Sequence, residues 1–293
     1  MVQAYTLWAS LLAYSNLAFS LVHPGLLHTD ADFERVTQLV ESGAEPWATA
    51  WTRLTTVSIT SPVFSPNPIP FVDRGGRGRQ TYGNLLHDAS AAYKHALVWK
   101  ISGNDDHADT TIRILNAWGP VLEHIGGSTD RALAAGLYGY QLANAAEIVR
   151  DYEPWNDSDK EVFTEMLNTH FLGISRDFLI RHNNVGNHHY WANWDLCSAA
   201  NVMAVGVFTD NATTYEWARE FILDGWSQGA LPQFIIESFE EEGSGKRLVQ
   251  GQEAGRDQGH ATLDISLLGV VAQQAWNQGD DIFGARDNAI LAA

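Results

Sequence analysis

Apolar residues recur at spacings of three and four over most of the chain, a pattern typical of amphipathic helices. The clearest stripe runs from Tyr82 to Ile101 and stops at Gly103, a residue that often ends helices. A first helix is predicted from a cap at Thr29 or Asp30 to about Val40. Further helices are expected after Pro46 and over residues 105–118, 130–150, 157–172, 190–207, 212–227 and 256–277.

Alternating strand patterns are almost absent, and the segment from Phe234 to Phe239 is the one short candidate. The fold class is therefore all-α. Eight or nine helices in short-linked antiparallel pairs favour a helical array or an α/α toroid over a bundle. Residues 58–80 carry four prolines and a run of alternating glycines and arginines, which predicts a long loop. Loops of that length usually serve a function.

The amino-acid composition limits the kinds of molecule that the protein could bind. The chain has 293 residues and a formal net charge of −17, so we expect one domain and exclude nucleic acid, which binds through Lys and Arg. The 11 Trp and 9 Tyr exceed what a plain helical scaffold needs and suit flat, polar ligands such as sugar rings. An anionic polymer would need a local basic patch. Arg74, Arg77 and Arg79 are either that patch or part of a solvated loop.

The first 20 residues are uncharged, contain the apolar run Leu7–Leu12 and end in small residues, which predicts a signal peptide over 1–20 and a secreted domain over 21–293. An uncleaved buried helix is the alternative. No later stretch predicts a membrane span.

Asn156 and Asn211 begin N-glycosylation sequons, and the single Cys197 cannot form an internal disulfide. We expect a monomer. The apolar run Ala289–Ala293 lacks a helix stop, which suggests an incomplete gene model.

The segment EAGRDQGH, residues 253–260, is the first candidate for chemistry. If the segment is helical, Glu253, Arg256 and His260 share one face at i, i+3 and i+7. A carboxyl group, a guanidinium and an imidazole would then line one wall of a cleft. The alternative is an ion-paired helix start in which Gly255 and Gly259 serve close packing.

A second cluster of His and amide side chains begins at Arg181. Asn187, Trp191 and Trp194 fall at i, i+4 and i+7, with His188 beside the first, so an amide, an imidazole and two aromatic faces would project together. Three of the histidines could instead bind zinc, although neither an HExxH motif nor a Cys pair is present; these are His182, His188 and His189. Structural capping is a third interpretation.

Three segments together resemble the alginate-lyase superfamily of secreted polysaccharide lyases: HPGLLHT at 23–29, GNHHYW at 186–191 and GRDQGH at 255–260. The resemblance implies an incomplete α/α toroid that is truncated at its C-terminus. It also implies β-elimination in an anionic uronate polymer such as alginate or glucuronan. No metal or other cofactor is expected.

The resemblance also implies roles for single residues. Asn187, with Arg256 or a protonated Glu253, would bind the substrate carboxylate, and His260 or His188 would remove the proton on carbon 5. Related lyases use a tyrosine as the acid, often far downstream of the histidine; Tyr190 lies in the right cluster, and no tyrosine follows His260. The remaining predicted substrate contacts are Trp191, Trp194, Arg74, Arg77 and Arg79.

Two other functions stay open from the sequence. An α/α-toroid glycoside hydrolase would need paired carboxylates, for which Glu237 and the run Glu240–Glu242 are candidates. A truncated lyase could also bind polyuronate without cleaving it.

Overall fold

The computed structural model of the protein describes residues 20–293. The predicted signal peptide lies outside these residues, apart from its last position. The helices are α1 (Asp30–Glu41), α2 (Trp47–Thr56), α3 (Tyr82–Ser102), α4 (Asp105–Trp118), α5 (Arg131–Ile148), α6 (Asp157–Met166), α7 (Gly173–Arg181), α8 (Ala192–Phe208), α9 (Ala212–Asp224), α10 (Leu231–Phe234), α11 (Gln258–Asn277) and α12 (Ala285–Ala292). The strands are β1 (Phe71–Arg74), β2 (His124–Gly127), β3 (Ile235–Glu240) and β4 (Arg247–Gly251).

The all-α prediction is confirmed, and most helix ends follow from local capping. Thr29 forms a capping box at the start of α1, and Gly103 ends α3 in the left-handed conformation. The predicted end of a helix at residue 172 is wrong, because a π-helical turn over Leu167–Leu172 joins α6 to α7. The predicted strand near Phe234 is β3, which forms an antiparallel hairpin with β4. No helix within the described range is long and apolar enough to span a membrane.

Four helices, α3, α5, α8 and α11, form an inner row in which each packs against the next. The outer helices cover this row: α4 packs on α3, α7 on α5 and α8, and α9 on α8. Two layers of helices linked by short connections are the architecture of an α/α toroid. The apolar residues between them form one continuous core that includes Trp118, Trp155 and Tyr215.

The inner helices α5 and α8 run parallel and nearly in backbone contact. A Cβ at Gly136 would meet Cys197 Sγ at 2.6 Å, and one at Gly139 would meet the Asn201 side chain at 2.2 Å. Both helices therefore advance in the same direction past each other. Cys197 is fully buried in this contact, and burial raises the pKa of its thiol to about 12.

The carboxyl ends of three inner helices meet at the N-terminal segment. His23 contacts Glu147 of α5 through Nδ1 at 2.7 Å and Asp210, just after α8, through Nε2 at 2.8 Å. The side chain of Gln278, which follows α11, hydrogen-bonds both the N–H and the carbonyl of Val22. The HPGLLHT segment is thus a strap across the carboxyl ends of α5, α8 and α11, and their amino ends lie at the opposite end of the molecule.

The close approach of α5 and α8 predicts that Gly136→Ala destabilises the fold by about 1–3 kcal/mol, because the added methyl group overpacks the contact with Cys197. Gly269→Ala in α11 is the matched control, since a Cβ there meets nothing within 4 Å. That control should stabilise the helix by up to about 1 kcal/mol. Chemical denaturation of both variants checks the pair, and equal effects would contradict the parallel close packing.

Candidate active site

The candidate residues lie at the amino ends of the inner helices. Trp191 is the N-cap of α8, Asp257 is the N-cap of α11, and Arg74 contacts Tyr82, the first residue of α3. Helix amino ends carry partial positive charge from unpaired N–H groups. Three segments far apart in sequence thus lie at helix amino ends, where the backbone itself favours an anion.

Glu253 is fully buried between two of these segments. Its Oε1 accepts hydrogen bonds from the backbone N–H of Asn193, at 2.9 Å, and from the amide of the same residue. Its Oε2 pairs with Arg256 at 2.7 Å. The neighbouring Gln252 accepts from the N–H of Ala192 at 2.9 Å. Residues 252 and 253 thus cap α8, whose N-cap Trp191 offers no side-chain acceptor.

The prediction that Glu253, Arg256 and His260 share one helix face is wrong. The chain turns after β4, and α11 begins only at Gln258, because Asp257 caps the helix there. Glu253 has no exposed surface and both its oxygens are occupied. It supports the site from beneath and does not line it.

Arg256 is held on two sides and open on a third. One guanidinium nitrogen donates to Glu253, and the group lies 5.0 Å from the centre of the Trp191 ring. Its side chain is 28% exposed. A guanidinium has five N–H donors, and in residues 20–293 only Glu253 accepts from this one. The other donors remain for a ligand, and Trp191, 41% exposed, provides an aromatic surface beside them.

His260 is oriented by Asp257, a residue that the sequence analysis missed. The cap carboxylate accepts the backbone N–H of His260 at 2.9 Å and contacts Nδ1 of its ring at 2.6 Å. These hydrogen bonds lower the pKa of Asp257. With Nδ1–H donating to a carboxylate, Nε2 carries the free lone pair. The signal was present, because an Asp three residues before a His at a helix start can cap and orient it together.

A second buried carboxyl group lies beneath Glu253. Asp264 of α11 is 1% exposed, and no N–H or O–H donor in the described part of the chain reaches its oxygens. Burial and the charge of Glu253 raise the pKa of Asp264 to about 8. The raised pKa favours the protonated form of Asp264, and Arg256 pairs with the neighbouring Glu253.

The segment before α8 is a loop, so the predicted helical spacing of Asn187, Trp191 and Trp194 is wrong. Asn187 donates from Nδ2 to the carbonyl of Trp226 at 2.7 Å, which fixes its amide. His188 is exposed. The loop thus presents an amide and an imidazole beside the amino end of α8, and their catalytic roles remain predictions.

Tyr190 and Trp194 belong to an aromatic cluster and mainly serve packing. Their ring centres lie 4.6 Å apart, and Tyr190 is only 8% exposed. The Tyr190 hydroxyl accepts a hydrogen bond from the Asn183 amide at 3.0 Å. The predicted roles of these two residues in acid catalysis and substrate binding stay untested, and their burial favours a structural contribution.

His182 forms a buried pair that the sequence analysis did not foresee. Its Nε2 lies 2.7 Å from Asp195 Oδ1, and the other oxygen of Asp195 accepts the N–H of Gly229 at 2.9 Å. His182 is fully buried, whereas His188 and His189 are exposed. Among residues 20–293 no group of three or more His, Cys, Asp or Glu side chains is arranged to hold a metal ion.

Arg74 packs against Tyr82 and Tyr138, with its guanidinium carbon 5.1 and 5.8 Å from the two ring centres. It also donates to the Tyr138 hydroxyl at 3.1 Å. Arg77 and Arg79 are exposed in the loop that follows β1. None of the three arginines forms an ion pair with a carboxylate of the described residues. Three positive charges are thus left unneutralised in an acidic protein.

The two sequon asparagines are exposed and cap helices. Asn156 accepts the N–H of Asp159 at the start of α6, and Asn211 accepts that of Thr214 at the start of α9. Their glycosylation stays a prediction.

The protonated state of Asp264 predicts a pH dependence of stability. An unfolded chain releases this proton near the ordinary value of 3.8, and the folded protein only near pH 8. The contribution of Asp264 to the free energy of unfolding therefore falls as the pH rises between those values, by at most about 1.4 kcal/mol per pH unit. Asp264→Asn, which is neutral throughout, should lose less stability than the parent between about pH 5 and about pH 9.

Denaturant titrations at the two pH values measure this difference. Asp151→Asn is the control, since Asp151 is exposed. Curves for Asp264→Asn that run parallel to the parent and to the control would show that Asp264 does not hold a proton in the folded protein.

Comparison with known proteins places the chain in a family. The family model described as alginate lyase matches residues 57–293. None of the curated proteins matches the chain. Among solved structures, an alginate lyase from Bacteroides ovatus superposes with a TM-score of 0.64 at 13% identity, covering 93% of this chain and 82% of that one.

Alginate lyase A1-III from Sphingomonas species A1 gives a TM-score of 0.61 at 13% identity, over 93% of this chain and 77% of that one. A variant of A1-III complexed with tetrasaccharide gives 0.66 at 13% identity, over 93% and 76%. At such low identity these structures support the fold alone. Because the family model spans most of the sequence, including both clusters at the amino ends of α8 and α11, the chain belongs to the alginate lyase family of polysaccharide lyases.

Proposed function

We propose that this protein cleaves a uronate polysaccharide by β-elimination at the amino ends of its inner helices. The observation that carries the proposal is the cap of α8 by Gln252 and Glu253, which brings Arg256 and His260 to the same end as Asn187 and His188. Family membership supports the reaction class, and a related enzyme that crystallised with a tetrasaccharide supports an oligosaccharide ligand.

The reaction removes the proton on carbon 5, next to the carboxylate of the uronate ring. Neutralising that carboxylate makes the proton more acidic, because the negative charge then spreads into an enolate. The electron pair of the broken C–H bond forms a double bond between carbons 4 and 5. The bond from carbon 4 to the glycosidic oxygen breaks, and that oxygen takes up a proton.

Arg256 and Asn187 are suited to hold the substrate carboxylate. Glu253 and Trp191 fix the guanidinium of Arg256 before substrate arrives, and Trp226 fixes the amide of Asn187. Donors that need no reorganisation stabilise a developing enolate most strongly. Because the protonated form of Asp264 is favoured, it adds no second negative charge beside Arg256.

His260 is the stronger candidate for the base. Asp257 holds Nδ1, so Nε2 faces outward with its lone pair free. His188 is the alternative; it is exposed, and no side chain of the described residues orients it. The imidazolium formed on His260 can return its proton to the leaving oxygen, which closes the proton balance. Tyr190 is not required in this scheme, because His260 both takes up the proton and returns it.

Arg74 at the end of β1, with Arg77 and Arg79 in the loop that follows, would attract the anionic polymer to an otherwise acidic protein. The carboxylates proposed for a hydrolase fit less well, because Glu237 and Glu240 are exposed on the β3 strand and do not face each other across a cleft. Export through residues 1–20 and glycosylation at Asn156 and Asn211 remain predictions that suit an extracellular polysaccharide.

Incubation with alginate or glucuronan should produce the ultraviolet absorbance of a conjugated, unsaturated uronate. Because His260 is the proposed base, His260→Ala should lower kcat by about 100-fold or more. His170→Ala, in the π-helical turn of the outer layer, is the control and should retain the parent rate. New reducing ends without absorbance would identify a hydrolase, and binding without turnover would identify a non-catalytic protein. A larger loss in His188→Ala than in His260→Ala would reverse the assignment of the base.

Asp257→Asn tests the orientation of His260 separately from folding. Asparagine still caps α11, because its carbonyl oxygen can accept the N–H of His260. Its amide can no longer accept from Nδ1, so the imidazole loses the favoured tautomer. We expect kcat to fall about tenfold or more while KM and the melting temperature stay near the parent values. An unchanged kcat would rule out orientation by Asp257.

A further inference from the structure

Trp226 is a large aromatic side chain that stays 50% exposed in the loop between α9 and α10. Single exposed apolar residues are common and need no explanation. This one differs in its surroundings, because its loop is bound at several points to the residues of the candidate site.

The loop is fixed by hydrogen bonds from both neighbouring segments. Gln228 donates to the carbonyl of Tyr190 and accepts from the amide of Gln252. Gly229 donates to the buried Asp195 at 2.9 Å. These contacts join residues 226–229 to the loop before α8 and to the end of the hairpin. The backbone that carries the indole is therefore held in place on both sides.

The Trp226 ring packs against His182 and is otherwise half exposed. The two rings are arranged edge to face, with centres 5.1 Å apart and planes at 70°. His182 is itself locked by Asp195, so the indole rests on a rigid buried pair. The Trp226 carbonyl accepts from Asn187, which places the residue directly beside a proposed carboxylate-binding amide.

We propose that Trp226 is a stacking platform for one sugar ring of the polymer, in addition to Trp191. The C–H groups on one face of a pyranose pack on an indole ring, and a fixed aromatic surface binds it without losing side-chain freedom. Such a surface contacts the apolar face of the sugar, and the arginines bind its carboxylate. The number of linked sugar residues that the site needs therefore depends on this surface. The inference rests on the proposed lyase function.

The test compares Trp226→Ala with Trp226→Phe and with Trp276→Ala. Trp276 is the matched control, since it is 55% exposed near the carboxyl end of α11, far from the site, where its ring packs against Phe283. The substrate is alginate or glucuronan, whichever the parent cleaves faster, together with size-fractionated oligomers of it. KM and kcat are read from ultraviolet absorbance.

We expect Trp226→Ala to raise KM for long oligomers about fivefold to tenfold, with a smaller effect on the shortest cleaved oligomers. Trp226→Phe should recover part of the loss, and Trp276→Ala should match the parent. Recovery by phenylalanine also separates loss of stacking from misfolding of the alanine variant.

Either of two results would overturn the platform. One is a KM of Trp226→Ala that matches the KM of Trp276→Ala at every oligomer length, and the other is a rise in KM that is equal at all lengths. An inactive parent would instead refute the proposed lyase function. In that case binding of the same oligomers, followed by indole fluorescence, still tests the platform, because a stacked sugar changes the emission of Trp226 but not that of Trp276. Equal fluorescence changes in the parent and in Trp226→Phe would then refute it.

Discussion

The buried carboxylate of Glu253 is the contact on which the geometry of the site depends. A charge without access to water is stable only when hydrogen bonds and an opposite charge surround it. Here the surrounding groups are the amino end of α8, the guanidinium of Arg256 and the proton of Asp264. Each of these belongs to a different part of the site, so satisfying one buried charge fixes three elements relative to each other.

The parallel inner helices explain why an acidic protein can hold an acidic polymer. Net charge acts over the whole surface and is screened by salt within about 10 Å. At short range the polymer would meet helix amino ends, three unpaired arginines and the Arg256 guanidinium. The carboxyl ends of α5, α8 and α11, with the opposite partial charge, are turned away.

Local signals predicted the helices well, because caps such as Thr29 and Gly103 act within a few residues. The same logic failed at Glu253, where the decisive partner is Asn193, 60 residues away in sequence. It also failed at Trp226, which the pattern placed inside a helix over 212–227. That helix ends at Asp224, and contacts with Asp195 and Gln252 determine the loop beyond it. Periodicity cannot reveal partners brought close only by the fold.

The N-terminal strap fastens the scaffold at the end remote from the site. Val22 and Gln278, 256 residues apart in sequence, hydrogen-bond each other, and the neighbouring His23 contacts Glu147 of α5 and Asp210 after α8. The amino ends of α8 and α11 are joined separately, through Glu253 and Arg256. The inner helices are thus fastened at both ends, with about 25 Å of helix between the two fastenings. The relative positions of the site residues therefore depend on contacts made at the far end of the molecule as well as on those beside them.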